Sequence, residues 1–242
     1  MSTFETLIYE KKDSIAYITL NRPKVLNVYN IQMRDDLYQV LGAVRDDPDV
    51  AVAIFKGAGD KAFCAGADLS EFLTAPSPII ARRVRWERDV WGLFLSLPQP
   101  VIAALHGYVL GDGIEIALCC DIRIASSDAQ FGTPEVGLGI IPAAGGTQTL
   151  PRIVGRGIAL EMLLTGRRLD AQEAYKVGLV NRVVPREQLI ATAEEIARKI
   201  ASYNQMAVRS AKRAVAMGLD LPLNESLQLE KRLASYLAAI TK

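Results

Sequence analysis

The hydrophobic pattern of this chain alternates between short apolar runs and segments whose apolar residues recur every three to four positions. Apolar runs bounded by turn-forming residues predict strands at Ile15–Leu20, residues 51–55, Val101–Leu105 and residues 121–125. Asn30 predicts the start of a helix because its side chain can accept a hydrogen bond from the first turn. The apolar face of that helix consists of Met33, Leu37, Val40, Leu41 and Val44.

Helical patterns become more frequent toward the end of the chain. One stripe contains Ile80, Val84, Trp91, Phe94 and Leu95, and residues 114–120 form an apolar helix. Helices dominate from residue 157, interrupted by a strand-like run at 179–184. Two of them are marked by Leu189, Ala193, Ile196 and Ile200 and, from about Leu223, by Leu227, Leu233, Leu237 and Ile240. This order predicts an α/β fold over residues 1–190 and a helical extension over residues 191–242. The apolar faces of the last helices suit subunit contacts and core packing equally well.

The composition argues against several classes of protein. Among 242 residues, 28 Lys and Arg balance 27 Asp and Glu, so the strong positive charge of many nucleic-acid binders is absent. The three cysteines form no CxxC pair, which argues against a disulfide framework or a zinc finger. The N-terminal segment has no apolar core of a signal peptide, and no apolar run is long enough to span a membrane. We therefore expect a cytoplasmic protein.

Because His106 is the single histidine, a metal site with several histidines is excluded, and a Ser-His-Asp triad would have to use this one residue. The sequence contains no GxSxG, GxxxxGK[ST] or GxGxxG motif. These absences favour chemistry that uses carboxylates and backbone dipoles.

Two Gly-containing loops follow predicted buried strands, at residues 63–69 (FCAGADL) and 107–113 (GYVLGDG). Small residues let backbone amides approach a ligand closely, and the second loop leads into a helix whose free amides favour negative charge. Together the loops can form an oxyanion hole. Each loop taken alone is also consistent with an ordinary turn.

Two glutamates are candidates for acid–base chemistry. Glu115 lies among apolar residues at the start of a helix, so burial should raise its pKa unless a structural ion pair, for example with Arg123, compensates. Glu135 is the only acid in an apolar Gly- and Pro-rich stretch, and the alternative for it is a solvated loop acid.

Other charged or reactive residues favour structural roles. The cluster of Arg82, Arg83, Arg85 and Arg88 is interleaved with acids, which is typical of a solvated helix face. We interpret His106 as a structural histidine with its hydrogen bonds satisfied. Cys119 and Cys120 are expected to fill the core.

These features, in this order and spacing, resemble the crotonase superfamily, most closely the bacterial enoyl-CoA hydratases, over nearly the whole chain. The matching segments are residues 21–27 (NRPKVLN), 63–69, 100–104 (PVIAA), 107–108, 111–115 (GDGIE), 120–121, 131–139 (FGTPEVGLG), 142–148 (PAAGGTQ), 164–166 and 178–180. The resemblance implies a spiral of ββα turns with a C-terminal helical extension. It also implies homotrimers, often paired into hexamers, with residues 191–242 as the trimerisation region.

The resemblance further implies a thioester carbonyl held by the backbone amides of Ala67 and Asp112, and catalysis by Glu115 and Glu135. The positions implied to contact substrate and coenzyme A are Lys24, Val25, Leu26, Ala65, Asp68, Leu69, Gly111, Pro134 and Leu138. No metal or redox cofactor is implied, since coenzyme A belongs to the substrate. The expected partner is an acyl-CoA thioester, with no nucleic acid and no membrane.

Asp112 departs from the family pattern, because the family usually has glycine at this position. Its backbone amide is retained. Its carboxylate, if turned inward, would oppose an enolate and can perturb the pKa of Glu115.

The leading hypothesis is therefore a lyase that reversibly hydrates 2-enoyl-CoA to 3-hydroxyacyl-CoA, as in fatty-acid β-oxidation. Glu115 would deprotonate water, and Glu135 would protonate Cα. Alternatives are hydration of a cyclic enoyl- or dienoyl-CoA, or double-bond isomerisation. A more distant alternative is an RNA-binding or scaffold module on the same fold, whose only support is the arginine cluster.

Overall fold

The computed structural model describes residues 4–71, 79 and 87–240. Three arginines of the predicted cluster (82, 83 and 85) and two apolar residues of the predicted stripe (Ile80 and Val84) lie outside the described residues. Arg88 is described, and its guanidinium pairs with Asp35 at 2.6 Å.

The larger of two sheets has six strands in the order β1-β2-β3-β5-β7-β10. The outer strand β1 runs antiparallel to β2, and all other neighbours are parallel. The strands are β1 (Leu7–Lys12), β2 (Ile15–Leu20), β3 (Val52–Gly57), β5 (Val101–Leu105), β7 (Ile122–Ser126) and β10 (Arg182–Val184).

A smaller sheet of four strands has the order β4-β6-β8-β9, with the first three parallel and β9 antiparallel to β8. Its strands are β4 (Ala62–Cys64), β6 (Tyr108–Leu110), β8 (Gln130–Gly132) and β9 (Leu169–Asp170). In three successive places the chain leaves a large-sheet strand, enters the neighbouring small-sheet strand and then continues into a loop and helix. This repetition is the predicted spiral of ββα turns, and the predicted fold class is confirmed.

Nine α-helices are described, from α1 to α9 in chain order. They are α1 (Ile31–Asp46), α2 (Val90–Leu95), α3 (Asp112–Cys119), α4 (Gly146–Val154), α5 (Arg156–Thr165), α6 (Ala171–Lys176), α7 (Leu189–Ala201), α8 (Gln205–Gly218) and α9 (Leu223–Ile240). Short 3-10 helices cover Pro23–Val25, Leu69–Glu71, Glu135–Leu138 and Arg186–Gln188. None of the described helices combines the length and apolar character needed to cross a bilayer.

Both faces of the large sheet are covered, which explains its continuous apolar strands. In β3, Ala53 and Phe55 contribute to the main core, whereas Val52 and Ile54 face a second cluster that includes Leu189 of α7. The predicted apolar face of α1 is fully buried, and the Asn30 side chain accepts a hydrogen bond from the Met33 amide at 2.9 Å. The predicted boundary at residue 190 falls inside α7.

Several sequence predictions need correction. The predicted stripe of α2 is wrong at Leu95, which is 51% exposed, because adjacent helix positions point in different directions and Phe94 occupies the core. For α9, where core packing and subunit contacts were both left open, the structure buries Leu229 and leaves Leu227 and Ile240 exposed in the single chain. The strand-like run at 179–184 is a strand only from Arg182. Helices dominate from Gly146, earlier than predicted.

Candidate active site

Three loops meet at one edge of the small sheet. Because β4, β6 and β8 are parallel, their carboxyl ends lie on the same side. Residues 65–69 follow β4, Gly111 and α3 follow β6, and residues 133–138 follow β8. The amide of Gly111 donates to the carbonyl of Gly132 at 3.0 Å and joins two of these loops. The topology therefore brings together the segments that the sequence singled out.

The loops after β4 and β6 touch at their glycines. Gly111 has φ +52°, and a Cβ atom at this position would lie 3.2 Å from the Cα of Gly66 and 3.1 Å from Oε1 of Glu135. The positive φ and the crowding both favour glycine here. This contact places Ala67, which follows Gly66, beside Asp112, which follows Gly111.

Two backbone amides at this contact have no hydrogen-bond partner among the described residues. Tyr29 forms an isolated parallel bridge with Ala67: the Tyr29 amide donates to the Gly66 carbonyl, and the Asp68 amide donates to the Tyr29 carbonyl. The Ala67 amide takes no part in this bridge and points away from it. The Asp112 amide is in the first turn of α3, where no intrahelical acceptor exists. These are the two amides predicted to form the oxyanion hole.

Glu115 is only 2% exposed and is anchored by the start of α4. Its Oε1 atom accepts hydrogen bonds from the amides of Ala144 at 2.9 Å and Gly146 at 2.7 Å. A Cβ atom on Gly146 would lie 2.8 Å from this same oxygen, so the site requires glycine. The alternative ion pair with Arg123 is wrong, because that guanidinium donates to the carbonyls of Leu179 and Cys120.

Glu135 is 8% exposed, so the alternative of a solvated loop acid is wrong. It begins the 3-10 helix after β8, and its Oε2 atom has no hydrogen-bond partner among the described residues. The carboxyl groups of Glu115 and Glu135 lie close enough to interact electrostatically, and Glu135 Oε1 lies beside Gly111.

The site concentrates carboxyl groups in a poorly solvated space. Burial, together with the Asp112 carboxylate, raises the pKa of Glu115, and burial raises the pKa of Asp112. Burial and the nearby Asp112 charge also raise the pKa of Glu135. Groups with raised pKa values next to anion-stabilising amides are suited to general acid–base chemistry.

The segment of residues 22–27, predicted to bind coenzyme A, is joined to the loops by hydrogen bonds. The buried Asn27 side chain accepts from the Arg22 amide at 2.8 Å and donates to the carbonyls of Ala58 and Ala62, each at 2.9 Å. The Ala65 amide donates to the Leu26 carbonyl at 3.1 Å. A cleft of about 270 Å³ lies here, lined by residues that include Lys24, Leu26 and Lys61.

The remaining predicted binding residues differ in accessibility. Val25, Leu69 and Leu138 are exposed, whereas Ala65 and Pro134 are partly buried. The Asp68 carboxylate is already engaged, since it accepts from the Ser70 hydroxyl at 2.6 Å and from Arg22 Nη2 at 2.9 Å. Contact of these residues with a ligand stays a prediction.

Sequence reasoning missed three contributors to the site. The amides of Ala144 and Gly146 lie in the matching segment 142–148, where a Gly-Gly pair before a helix was the available signal. Tyr29, partly buried near Asp112 and 5.7 Å from Trp91 between ring centroids, carried no sequence signal. Among the described residues, no cluster of His, Cys, Asp and Glu could hold a metal ion.

His106 is buried, as expected for a structural residue, and burial lowers its pKa to about 4. Its Nε2 atom has no partner in the described part of the chain, so the expectation of full hydrogen bonding is wrong. Cys119 and Cys120 are buried, as predicted.

Comparison with known proteins agrees with this geometry. A family model described as enoyl-CoA hydratase/isomerase matches residues 10–242. The chain belongs to this family. The crotonyl-CoA hydratase of Syntrophomonas wolfei is 43% identical over 228 residues, which cover 94% of this chain and 87% of that protein. The short-chain-enoyl-CoA hydratase of Clostridium acetobutylicum is 44% identical over 225 residues, which cover 93% of this chain and 86% of that protein.

Solved structures extend the agreement to the fold. The crystal structure of enoyl-CoA hydratase from Bacillus anthracis has a TM-score of 0.91 and 41% identity to this chain, and the match covers 98% of this chain and 92% of that one. Family membership and the spiral fold are thus confirmed.

Proposed function

We propose that this site reversibly hydrates the α,β-double bond of a 2-enoyl-CoA thioester to give the 3-hydroxyacyl-CoA. The observation that carries the proposal is the pair of buried, interacting acids, Glu115 and Glu135, beside the unpartnered amides of Ala67 and Asp112. The family match and the two hydratase relatives support this reaction.

The reaction moves charge onto the thioester oxygen as water adds at Cβ. In the proposed mechanism, the amides of Ala67 and Asp112 donate to that oxygen and stabilise the enolate. Glu115 removes a proton from water, and Glu135 delivers a proton to Cα; the roles reverse for dehydration. The C–O bond at Cβ and the C–H bond at Cα form as one O–H bond of water and the alkene π bond break; no net oxidation or reduction occurs, so the proposal requires no redox cofactor, and the two amides and two acids supply the charge stabilisation and proton transfers without a metal.

The coenzyme A part of the substrate is proposed to lie along the segment around Lys24. Lys24 and Lys61 line the same cleft, and their ammonium groups suit the phosphates of coenzyme A. The Leu26 and Ala65 segments, joined by a backbone hydrogen bond, lead from this cleft to the two unpartnered amides.

The test is hydration of crotonyl-CoA by the wild type, Glu115→Gln, Glu135→Gln and the exposed control Glu195→Gln. Each active-site variant should lose about 10²–10⁴-fold in kcat, and the control should keep its rate. Near-wild-type rates in both active-site variants would overturn the two-carboxylate mechanism. Turnover of only cyclic or 3-enoyl thioesters would replace hydration of 2-enoyl-CoA by another reaction of the family.

We also infer that residues 191–242 support a homotrimer and that the protein acts in the cytoplasm. Large apolar side chains on the C-terminal helices are exposed in the single chain, including Val215, Leu219, Leu223 and Leu227. Such faces favour subunit contacts. Sedimentation equilibrium of the wild type and of Leu223→Glu would test the assembly, and a monomeric wild type would refute it.

A further inference from the structure

Asp112 introduces a third carboxyl group into the site. It occupies the first turn of α3, three residues before Glu115, so that both side chains lie on the same side of the helix. The two carboxyl groups act on each other, and the Asp112 carboxylate raises the pKa of Glu115. Like charges on neighbouring side chains of a helix are unfavourable, and burial makes the repulsion stronger.

No cation neutralises this pair within the described part of the chain. None of the described ion pairs contains Asp112 or Glu115. The titratable groups that act on the pair are the Glu135 carboxyl from the 3-10 helix, the Tyr29 hydroxyl before α1, the Cys64 thiol from β4 and the Cys119 thiol at the end of α3. The arginines that act on these neighbours are engaged elsewhere: Arg22 pairs with Asp68, Arg34 pairs with Asp35, and Arg123 donates to the carbonyls of Leu179 and Cys120.

The start of α4 favours a charge on one member of the pair. The amides of Ala144 and Gly146 both donate to Glu115, and hydrogen bonds from amides stabilise a carboxylate. Two negative charges on neighbouring side chains of this buried turn would repel strongly, so one proton and one charge is the favoured state of the pair.

We propose that Asp112 is a positioning residue that shares a single proton with Glu115 and thereby holds Glu115 ready to act as the base. The shared proton moves to Asp112 when Glu115 becomes the carboxylate bound by α4. Glu115 then accepts a proton from water as the hydroxyl bonds to Cβ, while Glu135 gives its proton to Cα. After product leaves, the proton gained by Glu115 passes to solvent and Glu135 regains one, which restores the starting state. The catalytic role rests on the proposed function, whereas proton sharing is a property of the free protein.

The experiment counts protonated carboxyl groups in the free protein by their infrared carbonyl absorption near pH 7. Selective ¹³C labelling of aspartate separates Asp112 from Glu115. The wild type should contain one more protonated carboxyl group per chain than either Asp112→Asn or Glu115→Gln. Each substitution leaves one charged carboxylate at the pair, so Glu135 faces the same charge in all three proteins. Glu135→Gln serves as a control that should retain the shared proton.

Three outcomes would overturn the proposal: equal proton counts in the wild type and Asp112→Asn, loss of the proton in only one of the two variants, or loss in the Glu135→Gln control. If Asp112→Asn does not fold, Asp112→Gly supplies the same comparison without a bulky side chain. A wild type that shows the extra proton but no hydratase activity would refute the proposed function and leave proton sharing standing.

The pH profile of an active enzyme provides a second readout. At alkaline pH the wild type should lose protons from both Glu135 and the pair, whereas Asp112→Asn should lose only that of Glu135. The slope of log kcat/KM against pH should therefore change from about −2 to about −1. Equal slopes would contradict a catalytic role for the shared proton.

Discussion

The Gly146 amide at the start of α4 donates a 2.7 Å hydrogen bond to Oε1 of Glu115 on α3. The bond joins two helices that are separated in the sequence by β7, β8 and the 3-10 helix Glu135–Leu138. It orients the carboxyl group and stabilises its charged form. The position of the base therefore depends on a backbone contact, and side-chain chemistry alone does not determine it.

Gly146→Ala should displace Glu115, because the new Cβ would lie 2.8 Å from Oε1. We expect kcat for crotonyl-CoA hydration to fall by about 10²-fold, since small errors in position are costly to catalysis. Gly157→Ala is the matched control, because a Cβ there meets no atom within 4 Å and alanine favours a helix. Steady-state kinetics and thermal denaturation of both variants check this prediction, and an equal kcat in both would contradict it.

Ala67→Pro should remove a donor from the oxyanion hole while leaving the pairing with Tyr29, which uses the Gly66 carbonyl and the Asp68 amide. The expected loss is about 10²–10³-fold in kcat, the usual effect of deleting one such donor. Ala67→Gly keeps the amide and should remain close to the wild type. Circular dichroism verifies folding, and an active, folded proline variant would exclude the Ala67 amide from catalysis.

Asp112→Asn should stabilise the fold more at pH 8 than at pH 5. Burial raises the pKa of Asp112, so the folded protein binds this proton more tightly than the unfolded chain does. Stability is therefore lost as pH rises from the unfolded pKa through the raised folded pKa, and asparagine does not undergo this loss. We expect a gain in the free energy of unfolding on the order of 1–2 kcal/mol at pH 8, which becomes smaller at pH 5. Urea denaturation at both pH values measures it, and a gain that does not depend on pH would argue against the raised pKa.

Asn27→Asp should weaken the segment proposed to hold coenzyme A. The substitution keeps an acceptor for the Arg22 amide but replaces the donor to the Ala58 and Ala62 carbonyls by an acceptor. Leaving buried groups unpaired costs about 1–3 kcal/mol, more where a charge is buried. We expect a lower melting temperature and a KM that rises more than kcat falls. Asn224→Asp, on an exposed position of α9, should change neither.

Local sequence was sufficient for much of the fold. The strand Ile15–Leu20 and the capped helix α1 have the predicted positions because their apolar periodicity and the Asn30 cap act over a few residues. Periodicity is less informative for α9, where Leu227 and Ile240 are exposed although they fit an apolar pattern. A pattern identifies which residues are apolar, but it does not identify what covers them.

Short motifs and residue types were enough to predict four strands of the large sheet, several helices, the family and the two candidate acids. Long-range packing established that Glu115 binds the α4 amides rather than Arg123, that Glu135 is buried, and that the Asp112 carboxylate acts on Glu115. Each of these outcomes depends on loops that follow different strands and meet at one sheet edge. Their physical cause is the distance and burial created by that meeting, and neither is encoded in any single local segment.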